Sequence, residues 1–177
     1  DIPAPNIVSG STLSNLRQLV QKTMAERGLV CKCIRCQEIR GGGVQVDNLW
    51  FRNNTYTPGV GDEHHLSVMT SDNKEAGYLR LSLPHRQIDL RIKEIRDAAM
   101  VRELHVYGPA LEIGGKGASD TTSQHRGLGK RLLSKAESVA SEAGFSRVAI
   151  IAAVGTREYY SSRGYKLEGT YMVKSAI

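Results

Sequence analysis

The run Gln124-His125-Arg126-Gly127-Leu128-Gly129-Lys130 leads straight into apolar residues at helical spacing, and it constrains this chain more than any other stretch. Leu128, Leu132, Leu133, Ala136, Val139 and Ala140 recur at the helical period. The spacing predicts an amphipathic helix from about Leu128 to Ala143, with Gly144 past its end. A glycine loop that opens a helix leaves backbone N–H groups unpaired and aimed at one spot, where the helix dipole adds partial positive charge. Such a site suits a diphosphate. Gly127 and Gly129 let the backbone approach phosphates without a Cβ in the way. Arg126 and Lys130 add full charges.

Other phosphate loops are excluded by pattern. The chain has no G-x-x-x-x-G-K-S/T run. A dinucleotide fingerprint would follow the first strand of a βαβ unit, whereas this loop lies late, after several strand-like segments. Ser11 to Arg27 reads as a first helix, with Leu13, Leu16, Leu19, Val20, Thr23 and Met24 on one face and Gly28 after it. Val44 to Tyr56 alternates enough for a strand. His65–Thr70 and Ala76–Leu83 flank turn-forming residues and predict a hairpin. Gln87 to Ala99 fits strand and helix alike. Met100 to Tyr107 reads as a central strand with Val101, Leu104 and Val106 inside, and Gly108 to Ser123 as a long loop. Arg147 to Val154 is short and apolar enough for a buried strand. Thr156 to Arg163 reads as a short helix, and Tyr165–Glu168 and Tyr171–Lys174 as the last strands, broken at Gly169. The expected class is mixed α/β, with the strand before the glycine loop parallel to Arg147–Val154 and the helix crossing between them.

The length of 177 residues fits one domain with a small appendage. No apolar run approaches the ~20 residues that span a bilayer, so no membrane association is expected. The opening Asp1-Ile2-Pro3-Ala4-Pro5 reads as an extended linker, which suggests a fragment cut at a domain boundary. The net charge of +6 favours a polyanionic partner, or a phosphate-bearing cofactor alone. All three cysteines lie in Cys31-Lys32-Cys33-Ile34-Arg35-Cys36. A disulfide framework would spread them, so the cluster points to a reducing, cytoplasmic setting and to a metal.

Five motifs occur in one order: Arg102-Glu103-Leu104-His105-Val106-Tyr107-Gly108, the glycine loop, Val154-Gly155-Thr156-Arg157-Glu158-Tyr159-Tyr160, Arg163-Gly164-Tyr165 and Tyr171-Met172-Val173-Lys174. The loop fits the Q/R-x-x-G-x-G/A pattern of GNAT-type acyl-CoA acetyltransferases. Together the motifs resemble the C-terminal acetyltransferase domain of the Elongator catalytic subunit, from about Asp1 to Lys174. The resemblance implies a GNAT fold over 44–177 behind an N-terminal segment, 1–43, with a possible zinc site. It implies a domain that supplies the acetyl group of acetyl-CoA for modification of the tRNA wobble uridine at carbon 5. The radical S-adenosylmethionine domain of that family, with its 4Fe-4S cluster, is expected outside this chain, because C-x-C-x-x-C is not the C-x-x-x-C-x-x-C of a radical cluster. The cysteine run resembles the zinc motif of prokaryotic members, and a structural zinc takes four ligands. Cys31, Cys33 and Cys36 supply three; His64, His65 and His105 are candidates for the fourth. The alternative is three reduced thiols without metal.

By the same resemblance, the pantetheine arm of acetyl-CoA lies beside Leu104-His105-Val106 and pairs with backbone, and the diphosphate meets the amides of Arg126, Gly127, Leu128, Gly129 and Lys130, with Gln124 and His125 alongside. Tyr159 and Tyr160 match a tyrosine pair near the cofactor, where a phenol protonates departing thiolate or positions the thioester. Packing of both rings is the other reading. Glu103 and His105 share a strand face and are candidate acid–base groups; the alternative is an ion pair of Glu103 with Arg102 or another base, and a buried, hydrogen-bonded His105. Lys22, Arg27, Lys32, Arg35 and Arg40 surround the cysteines and offer phosphate contacts to tRNA, or form a solvated face. Two further functions stay open: a stand-alone protein or amine N-acetyltransferase, and a zinc-containing tRNA-binding module on a vestigial acetyltransferase fold.

Overall fold

The computed structural model describes residues 4–10, 13–39, 48–85, 91–107 and 127–175. They pack as two units, Asp1–Gln37 and Glu38–Ile177. The boundary expected after Gly43 falls outside the described residues.

In the first unit, helix α1 spans Leu16–Glu26 and a single turn, α2, spans Ile34–Gln37. α1 starts later than its apolar spacing suggests. It closes as expected, with the amide of Gly28 bonded to Ala25 O and that of Leu29 to Met24 O. It buries none of its residues, so Leu16, Leu19 and Val20 lie exposed. Periodicity reports which residues share a face; it does not report what covers that face.

In the second unit, seven described strands form one sheet in the order β1-β2-β3-β4-β5-β7-β6. They are β1 (Trp50–Tyr56), β2 (Gly61–Met69), β3 (Glu75–Pro84), β4 (Ala98–Val106), β5 (Arg147–Ile151), β6 (Lys166–Glu168) and β7 (Tyr171–Ser175). The β2–β3 hairpin is the one predicted. Its turn puts Asn73 in the left-handed region at φ 59°, which asparagine tolerates. β1 starts later than expected, at Trp50, and 40–47 lie outside the described residues. The ambiguous stretch resolves, where described, into a short 3-10 turn at Lys93–Ile95 and the start of β4 at Ala98. β5 ends at Ile151. The rest of the predicted run turns away from the sheet, and Val154 is exposed in another 3-10 turn, because apolarity alone does not mark where a ladder stops.

Helix α3, Leu128–Glu142, crosses between β4 and β5 and lies on one face of the sheet. Its buried residues are Leu128, Leu132, Leu133, Ala136, Val139 and Ala140, the six that carry the sequence period. They meet Leu66, Val68, Leu79, Leu81, Val101, Val148 and Ile150 in the main core. Phe145 N bonds to Ala140 O and Gly144 N to Ser141 O, which ends the helix. β5 buries Val148, Ala149 and Ile150 in succession, as a strand covered on both faces must. A smaller cluster of Ile95, Ala98, Ala149 and Val173 packs separately from that core. Helix α4 is short, Arg157–Ser161, and carries the tyrosine pair. No helix among the described residues is long and apolar enough to cross a membrane.

Candidate active site

The two central strands part. The parallel β4–β5 ladder runs from Ala98↔Arg147 to Val101↔Ile150 and stops. β4 continues to Val106, paired only with β3 among the described residues. At the point of separation the β3–β4 register slips: Leu81 faces Val101 but Arg80 faces Glu103, so Arg102 is an extra residue on β4. A bulge bends its strand and increases the local twist, which is how the last five residues of β4 leave β5. Their outer edge pairs with no described residue, and such an edge is where an extended ligand can add as a strand.

The start of α3 lies beside this edge. Gly127 sits at φ 115°, a conformation costly for any residue with a Cβ, and no described residue lies within 4 Å of the space a Cβ would fill. Gly129 is small for a different reason from the one its sequence suggests. A Cβ there would lie 2.5 Å from Tyr159 Oη and 3.9 Å from Leu104 Cδ2. The space belongs to a phenol, and the residue brings α3, α4 and β4 together at one point. Leu128 is core. Gln124, His125 and Arg126 lie outside the described residues, as does the Gly108–Ser123 loop.

The tyrosine pair divides. Tyr160 is buried and packs edge-on against Tyr159 and Tyr165. Tyr159 is half-exposed, with its hydroxyl at the first turn of α3. Helical geometry forces this split, since consecutive residues on a helix point about 100° apart. Leu104 and Val106 are half-buried against the main core rather than fully inside.

Glu103 and His105 project from β4 away from Leu104. Glu103 accepts a short hydrogen bond from Tyr78 Oη and pairs with Arg80 at 3.7 Å. Arg102 pairs instead with buried Glu63 at 3.0 Å. His105 is not buried: it is exposed, between the rings of Tyr78 and Tyr107 at 5.8 and 4.6 Å. The bulge at Arg102 sends it to a partner that the sequence could not indicate.

This face holds a polar network that the sequence reading missed. Glu75 is wholly buried; its Oε2 accepts from Ser67 Oγ at 2.7 Å and lies 3.3 Å from His65 Nε2 and 3.5 Å from Arg52 Nη2. Its Oε1 has no hydrogen-bond partner among the described residues. His65 stacks on Tyr78 at 4.9 Å, and Tyr107 donates to Glu38. The signal available was the period-two polar set Glu63, His65, Ser67 along β2.

Burial, then Glu103, raises the Tyr78 phenol; burial, then Glu38, raises Tyr107 to about 12; burial, then Glu137, raises Tyr165. Tyr165 is core, and its hydroxyl donates to Glu137 Oε1 at 2.8 Å. A raised folded pKa means that the unfolded chain ionises first, from about pH 10. This stabilisation is complete below that pH and is lost as pH rises through the folded values. Urea midpoints are expected to fall steeply above pH 10, and less steeply in Tyr165→Phe. A midpoint flat to pH 12 would contradict the assignment.

In the first unit, the sulfurs of Cys31, Cys33 and Cys36 lie within 4.8 Å of one another, and all three are free thiols. A hydrogen bond from Cys31, with the Cys36 amide and the Arg17 guanidinium, lowers Cys33 to about 6. Arg17 Nη2 lies 3.1 Å from Cys36 Sγ, and Gln21 Nε2 3.5 Å. Three close sulfurs, one with a depressed pKa, are the donor set a soft divalent metal prefers. Among the described residues the cluster holds no histidine. His64 bonds Asn53 and His65 bonds Glu75.

No protein-family model matches the chain. It is 38% identical over 179 residues to the tRNA uridine(34) acetyltransferase of Dehalococcoides mccartyi, an alignment that covers 98% of this chain and 38% of that protein. It is 37% identical to the enzyme of that name from Methanocaldococcus jannaschii, covering 98% of the chain and 33% of the relative. It is 35% identical to Elongator complex protein 3 of Bos taurus, covering 99% and 32%. The chain thus spans about a third of the length of the curated relatives it matches. Among solved structures, archaeal Elp3 of Methanocaldococcus infernus, with its N-terminus deleted, superposes with TM-score 0.74 and 32% identity, over 99% of this chain and 42% of that one.

Proposed function

The chain belongs to the family of the tRNA uridine(34) acetyltransferases and Elongator complex protein 3, and from that premise we propose that it is the acetyl-CoA-binding GNAT domain of a tRNA wobble-uridine acetyltransferase. The observation that carries this reading is the edge of β4 beyond Val101, which pairs with no described residue, set beside the glycine start of α3 at Gly127. The residues fit the cofactor. Backbone groups of Leu104, His105 and Val106 would hold the pantetheine arm, as an added strand. The amides from Arg126 to Lys130 would hold the diphosphate at the positive end of α3. Bound acetyl-CoA supplies an acetyl group activated as a thioester. Tyr159, with its hydroxyl at the first turn of α3, would be the phenol that holds or gives a proton there, and Tyr160 would support it from the core. Glu103 is committed to Tyr78 and Arg80, which disfavours it as a general base and leaves His105 as the accessible titratable group on β4.

Cys31, Cys33 and Cys36 would hold zinc, with a fourth ligand from outside the described cluster. The basic residues Lys22, Arg27, Lys32 and Arg35 around them suit tRNA phosphates. Residues 1–43 then form the RNA-facing segment and 44–177 the acetyltransferase domain. Modification of uridine requires a radical S-adenosylmethionine domain, which the family's greater length accommodates. Thiolates kept reduced suit the cytoplasm.

Titration calorimetry with acetyl-CoA tests this reading. The wild-type chain is expected to bind, and Gly127→Ala to bind roughly tenfold more weakly, because a left-handed residue with a Cβ costs ~1–2 kcal/mol in the turn that meets the diphosphate. A folded chain that binds no acetyl-CoA sinks the proposal; if it still binds tRNA with strong salt dependence, it is an RNA-binding module instead.

A further inference from the structure

Arg163 contributes to no ion pair among the described residues, although it lies half-buried one turn beyond α4. A guanidinium half out of water normally finds a carboxylate. Here its central carbon sits 3.5 Å from the centroid of the Tyr159 ring, and Nη1 donates to the Tyr159 carbonyl and, at 2.9 Å, to Ser162 Oγ. Ser162 Oγ itself donates to the same carbonyl at 2.9 Å. One side chain therefore grips both the ring face and the backbone of a single residue. The other contacts of that ring complete a clamp. Tyr160 meets it edge-on at 5.2 Å, and the hydroxyl end abuts Gly129. Arg163 Nε is buried without a hydrogen-bond partner among the described residues, a cost that salt bridging elsewhere would have avoided.

We infer that Arg163 is a positioning residue, which fixes the Tyr159 phenol at the first turn of α3. The inference rests on the proposed cofactor site for its ligand, but not for its geometry. A planar guanidinium stacks on an aromatic face and donates in its own plane at the same time; a lysine ammonium does only the first. Lysine is thus expected to rescue poorly. A positioned phenol that contacts acetyl-CoA makes Arg163 matter to binding only through that hydroxyl.

Two measurements on the whole chain test this. In the ligand-free chain, with ring-labelled tyrosine, the Tyr159 resonance is expected to shift and broaden in Arg163→Gln and in Arg163→Lys, while those of Tyr160 and Tyr165 stay in place. In calorimetry with acetyl-CoA, Arg163→Gln and Tyr159→Phe are each expected to weaken binding about 3- to 10-fold, the value of one hydrogen bond. The double variant should be no weaker than either single one, because both remove the same contact. An unmoved Tyr159 resonance, or multiplied losses in the double variant, overturns the inference; multiplied losses would mean that Arg163 touches the ligand by itself. If the folded wild type binds no acetyl-CoA, the cofactor reading falls instead, and the resonance still decides the role of Arg163.

Discussion

Replacing Glu75 with alanine is expected to remove about 3–5 kcal/mol of stability, the usual cost of breaking a buried charged pair. The carboxylate has no exposure to water, and one oxygen serves Ser67, His65 and Arg52 together. Without it the hydroxyl of Ser67, itself wholly buried, loses its acceptor, and Arg52 loses its ion pair with Glu75. A small domain is held by only ~5–15 kcal/mol in total, so the loss takes a large share. It would be read as a lower urea midpoint at unchanged slope. Glu75→Gln keeps shape and one acceptor and should lose less. A loss under about 1 kcal/mol for alanine would show that the network is solvated rather than structural.

Gly129→Ala is expected to act with opposite signs in two backgrounds. In wild type the new methyl would lie 2.5 Å from Tyr159 Oη, so the phenol must move or the helix must shift. Overpacking of this kind costs ~1–3 kcal/mol. In Tyr159→Phe the oxygen is gone and the nearest remaining ring atom, Cζ, is at 3.6 Å, an ordinary contact. There alanine should stabilise α3 by up to ~1 kcal/mol, the helix-propensity gain over glycine. The double-mutant cycle thus predicts coupling of about 2 kcal/mol or more, measured by denaturation without ligand. If Gly129→Ala is neutral or stabilising in both backgrounds, the phenol does not occupy that space, and the glycine is there for phosphate access after all. Under the proposed function, Gly129→Ala should weaken acetyl-CoA binding in wild type and add little to the loss in Tyr159→Phe, since both act on the same hydroxyl.

Much of the architecture was legible from the residues. The six apolar positions of α3 are its six buried ones, because a helix shows its core-facing stripe directly in its spacing. The hairpin, the central strand and the parallel pair were equally readable, since turn chemistry and period-two runs are local signals. The candidate site was readable as a set of elements but not as an arrangement. The motif named both glycines for one purpose, while the structure gives Gly127 a left-handed backbone and Gly129 a phenol. Two adjacent tyrosines looked equivalent, yet Tyr160 is buried and Tyr159 puts its hydroxyl at the first turn of α3. Glu103 and His105 shared a strand face as expected, yet their partners, Tyr78, Arg80 and Tyr107, come from β3 and from the residue after β4.

What the sequence by itself determined is everything set by contacts within a few residues: helix periodicity, caps, turns and the close spacing of three cysteines. Their consequences travel through backbone geometry of known pitch, so spacing suffices. What only the tertiary structure decided is everything set by register between strands distant in the chain. One extra residue at Arg102 turns β4 away from β5, opens its edge, and selects which charges meet across the sheet. A bulge depends on how two strands align, and that alignment is chosen by the packing of the whole core.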